Sequence, residues 1–148
     1  MTPLITCDAL SKSYAANSLF QELSLSLFEG EKIGLIGPNG SGKSTLLKIL
    51  ARLETQDEGT LSFRKGLKIG YVPQQAIFPN LSPAEVLIQA LEGEDLPSYE
   101  KERLAEVWLT RLAFPSHIPL APLLSGGWKK RLSFAAEMIR SPDLRLLD

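Results

Sequence analysis

Eight residues early in the chain, Gly37-Pro38-Asn39-Gly40-Ser41-Gly42-Lys43-Ser44, have the types and spacing of a loop that holds phosphate. Glycines let successive backbone N–H groups turn inward onto phosphate oxygens. Lys43 is expected to reach the β- and γ-phosphates of a nucleoside triphosphate, and the Ser44 hydroxyl to ligate Mg²⁺. The plain alternative is a glycine turn with a solvated lysine, and the flanking residues argue against it. Ile33–Ile36 reads as a short apolar strand entering the loop. Ser44–Leu53 reads as a helix leaving it, with Leu46, Leu47, Ile49 and Leu50 on its buried side. The N-terminus of that helix adds a partial positive charge.

Other elements must position this loop. Leu4–Leu10 and Leu23–Phe28 look like strands, the second alternating Leu23, Leu25 and Leu27 with Ser24 and Ser26. Gly59 marks a turn before a strand around Leu61–Phe63, and Lys68–Val72 predicts another. Past Gln74 the pattern becomes helical. Ser82-Pro83-Ala84-Glu85 fits a capping box with proline at the first helical position, opening a helix to about Leu91. Ser98–Phe114 places Leu104, Val107, Trp108, Leu109 and Leu112 at helical spacing, which makes Trp108 a core residue. After the proline-rich connector 115–122, Ser125 opens a further helix that ends near Ser141-Pro142. Leu144–Leu147 is a buried strand ending at Asp148. Such a strand needs neighbours on both sides, so the sequence is expected to be an incomplete form of a longer protein.

The chain has 148 residues, 44% hydrophobic and 22% charged, within the range of a single soluble globular domain. A net charge of −1 argues against a nucleic-acid-binding surface spread over the domain, and no DNA partner is expected. Cys7 is the only cysteine and cannot close an internal disulfide, so it reads as a small buried hydrophobe in a reducing compartment. No stretch approaches the roughly 20 apolar residues that cross a bilayer. The first residues lack a signal-peptide pattern, so the protein is expected to be cytoplasmic. The single histidine, His117, lies between prolines in a connector and suits a surface or packing role.

Four motifs in order resemble those of the ATP-binding-cassette (ABC) ATPase family. Gly37 to Thr45 is similar to that family's phosphate loop, and Tyr71-Val72-Pro73-Gln74 to its Q-loop. Leu124-Ser125-Gly126-Gly127 is similar to its signature, and Leu144-Arg145-Leu146-Leu147-Asp148 to its Walker B strand. The resemblance covers essentially the whole length. It implies an α/β P-loop NTPase fold of ABC type. An N-terminal antiparallel β region and phosphate-loop core would span 1–74. A helical subdomain, 75–124, would be inserted before the signature helix and Walker B strand at 125–148.

It also implies ATP and Mg²⁺ as ligands. Lys43, Gln74 and Asp148 would be catalytic; Ser44, Gln74 and Asp148 would hold the metal. Gln75 suits the glutamine role less well than Gln74. Tyr14 lies where the family places an aromatic that stacks on adenine, with an ordinary packed tyrosine as the alternative. Ser125, Gly126 and Gly127 at a helix start form a second anion site. In the family this site closes over the nucleotide of a second cassette paired head to tail. The family's general base is a glutamate just after the Walker B aspartate. A chain ending at Asp148 lacks it and is expected to hydrolyse ATP poorly.

Trp128 replaces the glutamine common after the signature, and Lys129-Lys130-Arg131 follow. This pattern resembles the ABC-F branch, soluble twin-cassette proteins associated with the ribosome and translation. The basic triplet has two readings, a contact with ribosomal RNA or a solvated helix face. The rival assignment is the ATPase subunit of a membrane transporter, whose partner would be a membrane permease. An ATP-bound module without useful turnover is the third.

Overall fold

Strand β1 (Ile5–Tyr14) is the centre of a three-stranded sheet, flanked by β2 (Asn17–Leu27) and β3 (Glu58–Phe63). Both pairings are antiparallel, from Ile5 opposite Leu27 to Tyr14 opposite Asn17 on one edge, and Ile5 opposite Phe63 on the other. The computed structural model describes residues 2–148. β1 runs four residues beyond the apolar alternation that ends at Leu10. Register shifts between Cys7 and Leu10, Leu10 and Lys12, and Lys12 and Ser13 break the two-residue period. The ladder nevertheless continues to Tyr14, so polar Ser11–Ser13 remain strand. Leu4, Ile5, Cys7 and Leu10 pack with Leu46 and Leu146 in one core.

Gly59 lies inside β3, not in a turn before it. Its φ is +87°, and a Cβ there would stand 2.3 Å from the carbonyl oxygen of Ala9 on β1. Glycine is therefore required where two strand backbones approach at an irregular register. Gly59→Ala adds a left-handed alanine and a steric clash, and is expected to destabilise the fold by about 2 kcal/mol. Urea denaturation with an unchanged midpoint would contradict this.

Cys7 is 2% exposed, and burial pushes its thiol up to about 11. The thiolate is the nucleophile, so Cys7 should resist iodoacetamide at pH 8 in the native protein and react readily in 6 M guanidinium. Rapid native labelling would place the sulfur at the surface.

Helix α1 (Lys43–Leu50) follows the loop and buries Leu46, Ile49 and Leu50. A second sheet pairs β4 (Ile69–Val72) with β5 (Leu144–Leu147). Its entrance is clamped: the Lys68 N–H donates to Asp143 Oδ2 at 3.0 Å, and the Asp143 N–H returns to the Lys68 carbonyl at 2.9 Å. Ile33–Ile36 forms no strand. Ile36 is 99% exposed and Ile33 59%, and the two-stranded sheet contains no ladder to this segment. Apolar β-branched residues favour a strand only when a neighbouring backbone supplies hydrogen bonds.

The remaining elements are helical: α2 (Pro83–Ala90), α3 (Ser98–Arg111), a 3₁₀ turn (Ala121–Leu123) and α4 (Gly126–Met138). The capping box closes as its sequence implies. The Glu85 N–H donates to Ser82 Oγ at 3.2 Å and the Ser82 N–H to Glu85 Oε2 at 2.7 Å. The donated backbone bond holds the Glu85 carboxyl below its ordinary range. Leu87, Leu91, Ala105, Leu132 and Ala135 form the helical core, and Trp108 packs on it as its spacing requires.

Two compact units result: residues up to Tyr71 with Asp143–Asp148, and Val72–Pro142. These differ from the partition 1–74, 75–124 and 125–148. Helix α4 shares its core with α2 and α3, because Leu132, Ala135 and Ile139 form its inward face. The strand after it joins β4 in the other unit.

Candidate functional site

The loop from Gly37 to Gly42 is shaped by glycine at two left-handed positions, Gly40 at φ +80° and Gly42 at φ +88°. Gly42 is the N-cap of α1, and a Cβ there would meet the Leu19 side chain at 2.9 Å. Its neighbours Pro38, Asn39 and Gly40 are exposed, while Ser41 is half-buried with its N–H on the Pro38 carbonyl at 3.3 Å. Lys43 folds back over the loop, Nζ donating to the carbonyl oxygens of Gly37 and Pro38 at 2.8 and 2.7 Å. Both acceptors are neutral. An anionic phosphate oxygen is a stronger partner for an ammonium, so the lysine is free to exchange them for a ligand.

Directly after Lys43, the Ser44 hydroxyl donates to Asp148 Oδ1 at 2.7 Å across 104 residues of sequence. Two of the three metal-ligand candidates, Ser44 and Asp148, are thus in contact. On the other side of the carboxylate, the Tyr71 hydroxyl donates to Oδ2 at 2.9 Å. Burial first, then the bond to Asp148, pushes the Tyr71 phenol up to about 12. It therefore remains a protonated donor throughout the physiological range. Tyr71 was legible only as the first residue of the Q-loop run, because the pairing of β4 with β5 has no local sequence signal.

Among the described residues no group of three or more His, Cys, Asp or Glu could form a metal cage. One hydroxyl and one carboxylate suit Mg²⁺, which keeps several waters and takes phosphate oxygens as further ligands. The donor set fits Mg²⁺ bound together with a nucleotide.

Tyr14 ends β1 and is 49% exposed, so it is not a packed core tyrosine. Its hydroxyl engages the Glu54 carboxylate, which raises its pKa, while a bond from Thr45 in α1 acts the other way. Lys12 Nζ lies 5.4 Å from the ring centroid and is tied to Asp57 at 3.0 Å and to the Thr55 carbonyl at 2.8 Å. Asp57 also accepts the Ser13 N–H at 2.8 Å. Lys12, Glu54 and Asp57, none of them singled out by sequence pattern, fix an exposed aromatic beside the first turn of α1.

The remaining candidates belong to the helical unit. Gln74 and Gln75 are exposed in the bend after β4. Ser125 is the N-cap of α4 and makes no side-chain capping bond; Gly126 and Gly127 are exposed, with open space where a Cβ would stand. The helix start is therefore accessible to an anion. Trp128 turns inward: its ring centroid is 4.9 Å from that of Phe114, and the Arg131 guanidinium lies 4.5 Å above its face. His117 is exposed in the connector. No helix is long and apolar enough to cross a membrane among the described residues.

Residues 20–148 match the family model described as ABC transporter. The chain is 34% identical over 148 residues to the formylaminopyrimidine import ATP-binding protein ThiZ of Halalkalibacterium halodurans, covering 98% of this chain and 59% of that one. It is 33% identical over 149 residues to the zinc import ATP-binding protein ZnuC of Photobacterium profundum, covering 100% and 56%. The chain thus spans little more than half the length of these relatives. Among solved structures it superimposes on an ATP-binding subunit of an ABC transporter with a TM-score of 0.83 at 25% identity, covering 98% of this chain and 65% of that one.

Proposed function

Because this chain belongs to the ABC transporter family, we propose that it is the nucleotide-binding part of an ATP-hydrolysing subunit that drives a membrane importer. The contact of Ser44 with Asp148 beside the Lys43 loop carries the nucleotide half of this reading, since it assembles a phosphate cradle, a cation and a metal-ligand pair. Mg²⁺, when bound, supplies charge neutralisation at the transferring phosphate. Lys43 would hold the β- and γ-phosphates, and the backbone N–H groups of Asn39–Thr45 would orient them. Ser44 and Asp148 would hold the metal, and by resemblance to the family Gln74 would be a further oxygen ligand. Tyr14 offers an exposed ring face for the adenine.

The reaction proposed for the whole protein is hydrolysis of ATP to ADP and phosphate. It is coupled to head-to-tail pairing of two cassettes, each covering the other's nucleotide with Ser125, Gly126 and Gly127. The glutamate expected to act as base would follow Asp148. The importer assignment draws on relatives whose names give import of two unrelated cargoes, a formylaminopyrimidine and zinc. Their difference leaves the cargo of this system to its permease and binding partners. The subunit would work on the cytoplasmic side of the membrane, where ATP is available.

The ABC-F reading rests on Trp128 and the basic triplet. In the structure Trp128 packs on Phe114 and carries Arg131 on its face, so packing accounts for two of the four residues without a ribosome. The importer reading therefore takes precedence, and fractionation decides between them. The full-length protein should sediment with membranes containing its permease and leave the ribosome pellet at 0.5 M salt. Stable, ATP-dependent co-sedimentation with purified ribosomes would reverse the order.

A further inference from the structure

Asp148 lies between two hydroxyls, and only Ser44 belongs to the ligand set described so far. Ser44 Oγ donates to Oδ1 at 2.7 Å, and the Tyr71 hydroxyl donates to Oδ2 at 2.9 Å. The terminal torsion of an aspartate is soft, so a carboxylate held by one donor can rotate its second oxygen away from a metal. Ser44 cannot supply lasting restraint, because its oxygen is itself required as a ligand. Tyr71 can. It sits on β4, whose pairing with β5 brings it beside the residue that follows β5, and its ring packs against the buried core of the first unit.

Resting on the Mg-nucleotide reading above, we propose that Tyr71 is a positioning residue of the metal site, its hydroxyl fixing the plane of the Asp148 carboxylate so that Oδ1 faces the metal beside Ser44. It does not touch nucleotide or metal. Its contribution is orientation of a ligand, an effect that in metal sites typically amounts to about 10–100-fold in metal affinity.

The test is Mn²⁺ binding to the full-length protein in the presence of ATP, followed by electron paramagnetic resonance, with ATP affinity in EDTA measured alongside. Tyr71→Phe keeps the ring and removes the hydroxyl. It should weaken Mn²⁺ affinity about tenfold and leave metal-free ATP affinity within about twofold of wild type. In an Asp148→Ala background the same substitution should have no further effect. Metal-free ATP affinity close to wild type also shows that the phenylalanine variant is folded, and Tyr71→Leu, which likewise lacks the hydroxyl, stands in with the same expected loss if it is not. Wild-type Mn²⁺ affinity in Tyr71→Phe, or an undiminished loss in the Asp148→Ala background, overturns the assignment. If the wild-type protein with ATP binds no Mn²⁺, the metal-nucleotide reading has failed and Tyr71 has no site to position.

Discussion

Lys43→Ala is expected to weaken ATP affinity by about 10- to 100-fold, the loss of charge-assisted bonds worth about 1.5–3 kcal/mol. Turnover should fall further, by about 10³-fold, because the ammonium also faces charge that develops during transfer. Lys43 Nζ spends its bonds on the Gly37 and Pro38 carbonyls, two neutral acceptors within its own loop. Binding exchanges those for anionic oxygens, so the gain arises on the ligand side, and alanine forfeits it. The glycine backbone of the loop remains, and residual binding through its N–H groups is expected. Lys43→Arg should rescue poorly, since a planar fork does not replace a compact ammonium in a cradle of this size. Calorimetric titration with ATP reads the effect directly, and an affinity unchanged by the alanine substitution would remove Lys43 from the phosphate site.

How much of this was legible from residues alone depended on whether the signal was local. The glycine loop leading into α1, the Ser82–Glu85 capping box and the helical spacing around Trp108 are each contained in a few consecutive residues, and the structure contains all three. The expectations that failed depend on partners distant in sequence. Ile33–Ile36 has the composition of a strand, yet composition cannot supply a ladder, and the segment is exposed. Gly59 has the look of a turn residue; its left-handed φ serves a close approach to Ala9, fifty positions earlier. β1 continues past Leu10 because bulges shift its register, which removes the alternation that a pattern search needs.

The site divides along the same line. Spacing alone singles out Lys43 and Ser44 as candidates. Asp148 was placed by resemblance of its strand to a known motif, and its contact with Ser44 emerges only from the fold. Tyr71, Lys12 and Glu54 contact neighbours that no window of sequence contains. Trp128 shows the opposite hazard. A departure from a motif invited a functional reading, yet the side chain is occupied by Phe114 and Arg131.

Asp148→Asn should separate metal handling from nucleotide holding. The substitution preserves the volume at the end of β5 and removes one negative charge. It also replaces one acceptor oxygen by an N–H₂ group facing either the Ser44 or the Tyr71 hydroxyl, both of which now donate to the carboxylate. One of those bonds must break or invert. Loss of the charge weakens the attraction for a divalent cation, and loss of the paired acceptors frees the side chain to turn. Hydrolysis in the full-length protein is expected to fall about 10³-fold, roughly 4 kcal/mol in the barrier. Affinity for ATP in EDTA should stay within a few-fold of wild type, because Lys43 and the loop backbone are untouched. The pattern differs from that of Lys43→Ala, which lowers metal-free affinity as well as turnover. Raising Mg²⁺ to tens of millimolar should recover part of the lost rate, since weakened ligation can be offset by concentration. A variant that hydrolyses ATP at the wild-type rate at low Mg²⁺ would show that Asp148 closes the end of β5 and ligates nothing.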